Sequence, residues 1–416
     1  MSFTKFTLAV LAIVVGVVSV FSTVAAQGQT ETVLYTFCAS GFGCSDGAIP
    51  NSPLTPDGKG NFYGATVTGG TGPDECCGTV FELSPNGSGG WIETVLYSFT
   101  GYEGLSYPTG SLVFDGAGNL YGTAEGNGAH GWGAVFKLSP GSVGASWTET
   151  TLYSFAGGTD GANPSSGVVI DAAGNLYGTT GAGGSGGSGT VFELSPSGGG
   201  WTEQVIYNTD TSWYAGLTMD SGGSIFGVSQ SQVFELQTNG SGRWNPIVLH
   251  TFNANKSGRK LRTAPNGTLA FDKAGNIFGT NTGGGAYKRG AVFELTPGKN
   301  GKYKERTLYD FGSMPGDGAY PLAGVVLDGA GNVYGATTEG GINNSGAVFE
   351  LVAPVGKVSY QGKTLWSFNG TDGDSPEYSL IMDSVGNLYG TTTYGDGNPD
   401  GACYGLGCGM AFEITP

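Results

Sequence analysis

The sequence predicts an all-β protein: a seven-bladed β-propeller of four-stranded antiparallel blades, closed by the N-terminal strand completing the last blade. Three observations predict it. A Val-Phe-Glu-Leu tetrad recurs unchanged at residues 80–83, 191–194, 233–236, 292–295 and 348–351, and in altered form at 135–138 and 411–414. An Asp-x-x-Gly-Asn turn, followed by an apolar–aromatic pair and Gly, begins at Asp57, Asp115, Asp171, Asp220, Asp272, Asp328 and Asp383, with the Asn replaced in the fourth copy. Each period holds four short β-like runs separated by turn residues, and no window carries the apolar stripe of an amphipathic helix. The aspartates are spaced by 58, 56, 49, 52, 56 and 55 residues. That period suits a four-stranded blade and is long for a β-helix coil.

Composition narrows the class. The chain has 416 residues with 80 Gly and 18 Pro, no Gly-X-Y period and only 12 % charged residues. Its 12 % of aromatics supplies enough apolar surface for a packed core. A net charge of −16 opposes nucleic acid as the partner, and two His restrict catalytic and metal options.

From the N-terminus, Lys5, the apolar run 8–21 and small residues at Val24 and Ala26 read as a secretory signal peptide over residues 1–26. The propeller then occupies 27–416, secreted or at the cell surface, with no membrane span left after cleavage. Six Cys in an exported chain point to disulfides.

The third repeat illustrates the elements: strand A at 167–171, B at 175–180, C at 190–194 and D at 201–207. The apolar A runs are expected to be covered on both faces, and the mixed B and C runs to lie nearer the rim. The repeated Asp and the Gly near it serve the A–B hairpin; a Ca²⁺ role is the alternative. Gly inside strand B implies close approach by the adjacent blade, and the Phe and Leu of the tetrad fill the space between blades.

A third signature, LYxF, marks strand D at 34–37, 96–99, 152–155 and 308–311. The chain therefore opens with a D strand and closes with a C strand, so residues 32–37 should complete the last blade. Cys38 follows that D strand and Cys408 precedes that C strand, which favours a 38–408 bridge across the ring seam. Local bridges, Cys38 to Cys44 and Cys403 to Cys408, are the alternative. Cys76 and Cys77 fall in a loop on the same face.

LYxF, the DG…P loop, DxxGNLYGTT and GxVFEL together resemble the GloVer (Gloeo/Verruco) tandem repeat of secreted bacterial proteins, over residues 33–416. The resemblance implies export and a repeat fold, and it carries no established activity. Members often end in a surface-sorting signal; this chain ends at Phe412-Glu413-Ile414-Thr415-Pro416, which favours a released form.

Function is less legible. Residues 183–187 match G-x-S-x-G and 184–189 match G-x-G-x-x-G, but a strand follows both where a helix is needed. The D–A and B–C loops share one face of the disc and are the longer, more varied set. Aromatics there form a sugar platform in this reading: Tyr102, Tyr107, Trp132, Trp213, Tyr214, Tyr287, Tyr320 and Tyr394, with Tyr378 nearby. Asp160, Asp317, Asp372 and Asp374 stand among them as polar partners. Arg259, Lys260, Arg262, Lys288 and Arg289 form a basic sector on the fifth blade, read as an anion patch. These features favour a binding module for extracellular polysaccharide or glycoprotein, without a cofactor. The alternatives are a lyase- or hydrolase-type enzyme at the channel mouth and a cell-envelope protein-interaction scaffold.

Overall fold

A computed structural model describes residues 29–39, 43–72, 76–101, 104–142, 146–209, 215–229, 231–238, 240, 242–252, 265–354, 359–396, 403 and 405–416. The proposed signal peptide lies outside these residues. Seven blade sheets follow one another around an axis, each built as a meander, and a two-stranded ladder of Gly318–Ala319 with Glu339–Gly340 accompanies the sixth. Blade 2 is typical: strand A is Leu105–Phe114, B Leu120–Asn127, C Ala134–Ser139 and D Thr148–Ser154. Blade 7 takes A, B and C from Ile381–Met382, Leu388–Thr392 and Met410–Thr415, and its D strand is Thr30–Thr36 from the other end of the chain. The expected closure is thus formed: Val33 pairs Phe412 and Thr36 pairs Met410.

The repeated residues account for the packing. In every D strand a bulge falls at the Leu of LYxF or its equivalent, such as Leu34 or Ile206. The extra residue lets Leu and Phe both enter the core, while the intervening Tyr turns outward. The Phe then meets the tetrad Phe of the next blade. Phe37–Phe81, Phe99–Phe136, Phe155–Phe192, Phe252–Phe293, Phe311–Phe349 and Phe368–Phe412 have centroids 4.9–5.2 Å apart, mostly edge to face. In blade 3 Thr209 stands at the Phe position, and Tyr207, at the Tyr position of the motif, makes the contact instead, 5.3 Å from Phe234. Such pairs contribute about 0.5–1.5 kcal/mol each beyond the area they bury.

Two expectations are corrected. The Gly of strand B accommodates its own blade's tetrad Phe, not an adjacent blade: a Cβ on Gly178 would lie 2.5 Å from the Phe192 ring, its direct cross-strand partner. Strand A is also not the doubly covered one. Val169 and Ile170 are half-buried, whereas residues 176–180 of strand B are fully buried. Strand A borders the axial channel; strand B has a strand on each side and a blade on each face.

The cysteines pair locally, Cys38–Cys44, Cys76–Cys77 and Cys403–Cys408, so the favoured 38–408 bridge is not formed. The proximity behind it is nevertheless present. Cys38, Cys44, Cys403 and Cys408 share one buried cluster, and the Sγ atoms of Cys38, Cys44 and Cys408 lie within 4.8 Å of one another. Each Cys had a closer partner along the chain than across the seam. The seam is joined by backbone and side-chain bonds, among them Thr391 Oγ1 donating to the Ser52 carbonyl at 2.9 Å.

Candidate functional site

Every A–B turn uses its Asp Oδ1 in the same way, and all but the fourth, where Ser224 replaces the Asn, also use Oδ2. In the third, Asp171 Oδ1 accepts from the N–H groups of Ala173 and Asn175, and Oδ2 from Asn175 Nδ2, at 2.8 Å each. Burial works against the charge, but these donors outweigh it and hold Asp57, Asp115 and Asp328 below the usual carboxylate range. With their lone pairs directed at their own turns, the seven aspartates are structural.

The opposite face is built on a second repeated device. The positions eight before Asp220 and Asp272 lie outside the described residues. Eight positions before each of the other five turn aspartates, a non-Gly residue adopts the left-handed conformation: Ile49, Tyr107, Asn163, Tyr320 and Ser375, with φ between 55° and 59°. Each precedes a Pro. Each donates its N–H to the preceding blade; Tyr107 bonds the Cys77 carbonyl at 3.0 Å and Tyr320 that of Arg289 at 2.8 Å. The Pro packs on the Gly that opens the preceding blade's C strand: a Cβ on Gly133 would meet Pro164 at 2.6 Å. Holding a residue before Pro in this conformation is costly, most of all for β-branched Ile49. The interblade bond holds it in place.

Just beyond these prolines the A–B ladder breaks, between Thr109 and Val113, Pro164 and Val168, and Asn266 and Ala270. The residues in the breaks enclose an axial cavity of about 440 Å³ to which all seven blades contribute. Most are small. Gly110 N–H donates to the Asn51 carbonyl at 3.1 Å, and Gly324 N–H to Ser379 Oγ at 2.9 Å. Thr268 Oγ1 and Ser379 Oγ, from blades 5 and 7, are 3.3 Å apart, a measure of how narrow this ring is.

One sector of the wall departs from the repeat. Glu377 and Tyr378 precede strand A of blade 7, and Glu125 lies near the end of strand B of blade 2; all three line the cavity. Burial pushes both glutamic acids up, and Thr393 beside Glu377 partly offsets this. Burial, then the charges of Glu377 and Glu125 and the neighbouring Tyr394, pushes the Tyr378 phenol well above its ordinary range. Among the described residues the ion pairs are His250–Glu305, Arg306–Glu294 and Lys363–Glu350, all on strands C and D. None reaches this sector.

Sequence-predicted residues distribute around this mouth. Tyr107 is exposed and packs against Gly126, next to Glu125. Tyr394 is half-buried near Tyr378. Trp132 and Tyr287 are exposed on the B–C loops of blades 2 and 5, and Tyr320 is exposed at its left-handed position. Trp132 lies against Gly157 of the next blade. The cavity wall itself consists of other residues. Lys288 and Arg289 are exposed beside Tyr287. Tyr102, Trp213, Tyr214, Arg259, Lys260 and Arg262 lie outside the described residues. The expected polar partners are engaged elsewhere: Asp160 and Asp317 accept from Tyr153 and Tyr309 at 2.6 and 2.9 Å, and Asp372 accepts from Asn369. Glu125 and Glu377 were missed by sequence reasoning. Their signal was present: Glu377 stands where other repeats have Asn51, Thr109, Ser165 and Leu322, and Glu125 where others have Val67, Gly181, Thr282 and Thr338.

A solved structure shares the architecture. A protein from Lactobacillus plantarum superposes with a TM-score of 0.52 at 13 % identity, over 80 % of this chain and 89 % of that one. A putative oxidoreductase (glucose dehydrogenase) from Thermus thermophilus gives 0.48 at 15 %, over 93 % and 100 %. The periplasmic gluconolactonase of Pseudomonas aeruginosa gives 0.47 at 15 %, over 77 % and 85 %. At such identities the likeness concerns the fold, and no activity passes with it. No curated protein matches the chain. Among the described residues no helix is long and apolar enough to cross a membrane. The model of the Gloeobacter/Verrucomicrobia repeat matches residues 72–238 and 229–413, and the chain belongs to that family.

Proposed function

We propose that the chain is an extracellular carbohydrate-binding propeller whose ligand enters the axial mouth on the face of the D–A and B–C loops. The observation that carries this reading is the cavity of about 440 Å³, walled by small and hydroxyl-bearing residues and approached past exposed Tyr107, Trp132 and Tyr320. Sugars offer an apolar ring face to aromatics and hydroxyls to Ser, Thr and carboxyl groups. The test is a glycan panel probed with wild type and with Trp132→Ala and Tyr107→Ala. Retention on a glycan that either variant loses, with the fold intact, supports the reading; indifference of wild type to every glycan ends it.

A second reading has a specific observation behind it. Glu125 and Glu377 place two partly buried carboxyl groups at one cavity, the arrangement an acid–base enzyme requires. Turnover of a bound glycan, abolished in Glu377→Gln while binding survives, distinguishes the enzyme from the binding module.

A further inference from the structure

We infer that the four sulfurs gathered at the ring seam form, in the reduced chain, a tetrathiolate site for a thiophilic divalent cation of the Zn²⁺ class. Cys38 and Cys44 lie in the loop after the N-terminal D strand, and Cys403 and Cys408 in the B–C loop of blade 7. All four are buried in one cluster with Ala48, and Ile49 packs against it. The Sγ atoms of Cys38, Cys44 and Cys408 lie within 4.8 Å of one another, and Cys403 Sγ is bonded to that of Cys408. Tetrahedral zinc holds its sulfurs at about 2.3 Å, which sets them about 3.8 Å from one another. Opening the two bridges lets each bonded pair separate to that spacing, and sulfurs of different bridges already stand close to it. Each pair brackets a short loop, Cys38-x5-Cys44 and Cys403-x4-Cys408. The second is inside the usual range for structural zinc and the first is one residue beyond it. Cys76 and Cys77 belong to no such group among the described residues.

The seam keeps these sulfurs together without their bridges. Strand Thr30–Thr36 pairs with Met410–Thr415, Phe37 N–H donates to the Gly409 carbonyl at 3.0 Å, and Ile49 N–H donates to that of Cys408 at 2.8 Å. Every chain is made with its thiols reduced, so the site precedes any bridge. In a mature chain a dithiol reopens it: each S–S bond takes up two electrons and two protons, and the dithiol closes to its own disulfide. The cation then replaces the four thiol protons, which leave to solvent as four metal–sulfur bonds form. Neither local bridge joins the two ends of the chain, whereas one ion on all four sulfurs does. The cluster shares no residue with the axial cavity, so the inference stands apart from the carbohydrate reading.

The test uses the full chain carrying Cys76→Ser and Cys77→Ser, in which the seam supplies the only thiols. It is reduced with a dithiol without air, desalted, and titrated with Co²⁺ as a spectroscopic substitute for Zn²⁺. The expected result is one Co²⁺ per chain, with a sulfur-to-cobalt charge-transfer band and the visible bands of tetrahedral cobalt, both removed by equimolar Zn²⁺. Adding Cys38→Ser or Cys408→Ser should weaken Co²⁺ binding at least about tenfold, the loss that even an outer-shell change brings. Zn²⁺ should raise the melting temperature of the reduced chain and leave that of the oxidised chain unchanged. Absence of the charge-transfer band, one Co²⁺ shared by two chains, or a band unchanged in both seam variants overturns the inference. Should the reduced chain unfold without metal, recovery of its near-ultraviolet circular dichroism on adding Zn²⁺ supports the site, and no recovery overturns it. If one seam variant does not fold, the other decides; if neither folds, the band of their parent decides, because no other thiol remains to give it. If the parent itself does not fold, wild type with and without Cys408→Ser replaces it.

Discussion

The two faces of the disc differ in how strictly the repeat is kept. On the A–B face, the aspartates bond their own turns in seven nearly superimposable copies. On the D–A/B–C face the backbone device also repeats, but the residue it presents changes from Ile49 to Tyr107, Asn163, Tyr320 and Ser375. Backbone that is held constant while its side chain varies is how a scaffold displays different groups toward a ligand. Where all copies agree, the residue serves the blade. Where one copy breaks ranks with an acid, as Glu125 and Glu377 do, the repeat itself supplies no reason for it.

The contrast can be broken by mutation, starting with the core that both faces share. Phe192→Ala should cost about 3–5 kcal/mol, read as a loss of urea midpoint, because a fully buried ring and its contact with Phe155 disappear together. Asp171→Ala should cost about 1–3 kcal/mol, since it leaves two turn N–H groups and the Asn175 amide without their acceptor. A loss below about 0.5 kcal/mol would remove the structural reading of that face. Reducing the bridges should cost about 2 kcal/mol for each of the two short loops at the seam. A non-reduced peptide map should link Cys38 to Cys44 and Cys403 to Cys408; a 38–408 peptide would show that the seam is covalently clasped.

Titration separates regions of opposite sign. In the outer grooves between blades, burial first and then Asp372, Asp46 and Asp160 respectively push Glu31, Glu93 and Glu203 up to about 7, 8 and 7. Their folded-state values exceed the unfolded one. The stability they contribute is therefore complete below the unfolded carboxyl pKa and is lost as pH rises through about 7–8. The depressed turn aspartates behave oppositely, losing their contribution as pH falls through their lowered values. Melting temperature should thus decline on the alkaline side, and Glu93→Gln with Glu203→Gln should flatten that decline; an unchanged slope would show that these groups do not govern it. The smallest effect belongs to the mouth. Glu125→Gln and Glu377→Gln should shift stability by less than about 0.5 kcal/mol, or raise it slightly, because a desolvated acid is replaced by a neutral amide. A large destabilisation would make both acids structural and return the mouth to the repeat.

Blade number, strand order and ring closure were legible because each is a property of the repeat, and the repeat is written in the chain seven times. The tetrad Phe and the LYxF motif announced their roles by recurrence, as did the turn Asp. The burial order of the strands was not legible, since an apolar run looks alike whether it borders a channel or sits between two strands. The favoured Cys38–Cys408 pairing was wrong for a related reason: order along the chain placed four sulfurs together, and local geometry chose the short bridges among them.

By itself, then, the sequence determined the blade, its count and the seam, because local pattern and turn chemistry fix one blade and repetition fixes the rest. Only the tertiary structure decided which residues meet at the axis. Glu125 and Glu377 are separated by 252 positions and belong to blades 2 and 7. No periodicity marks them, because closing a ring brings together residues that have nothing in common along the chain except their distance from the centre.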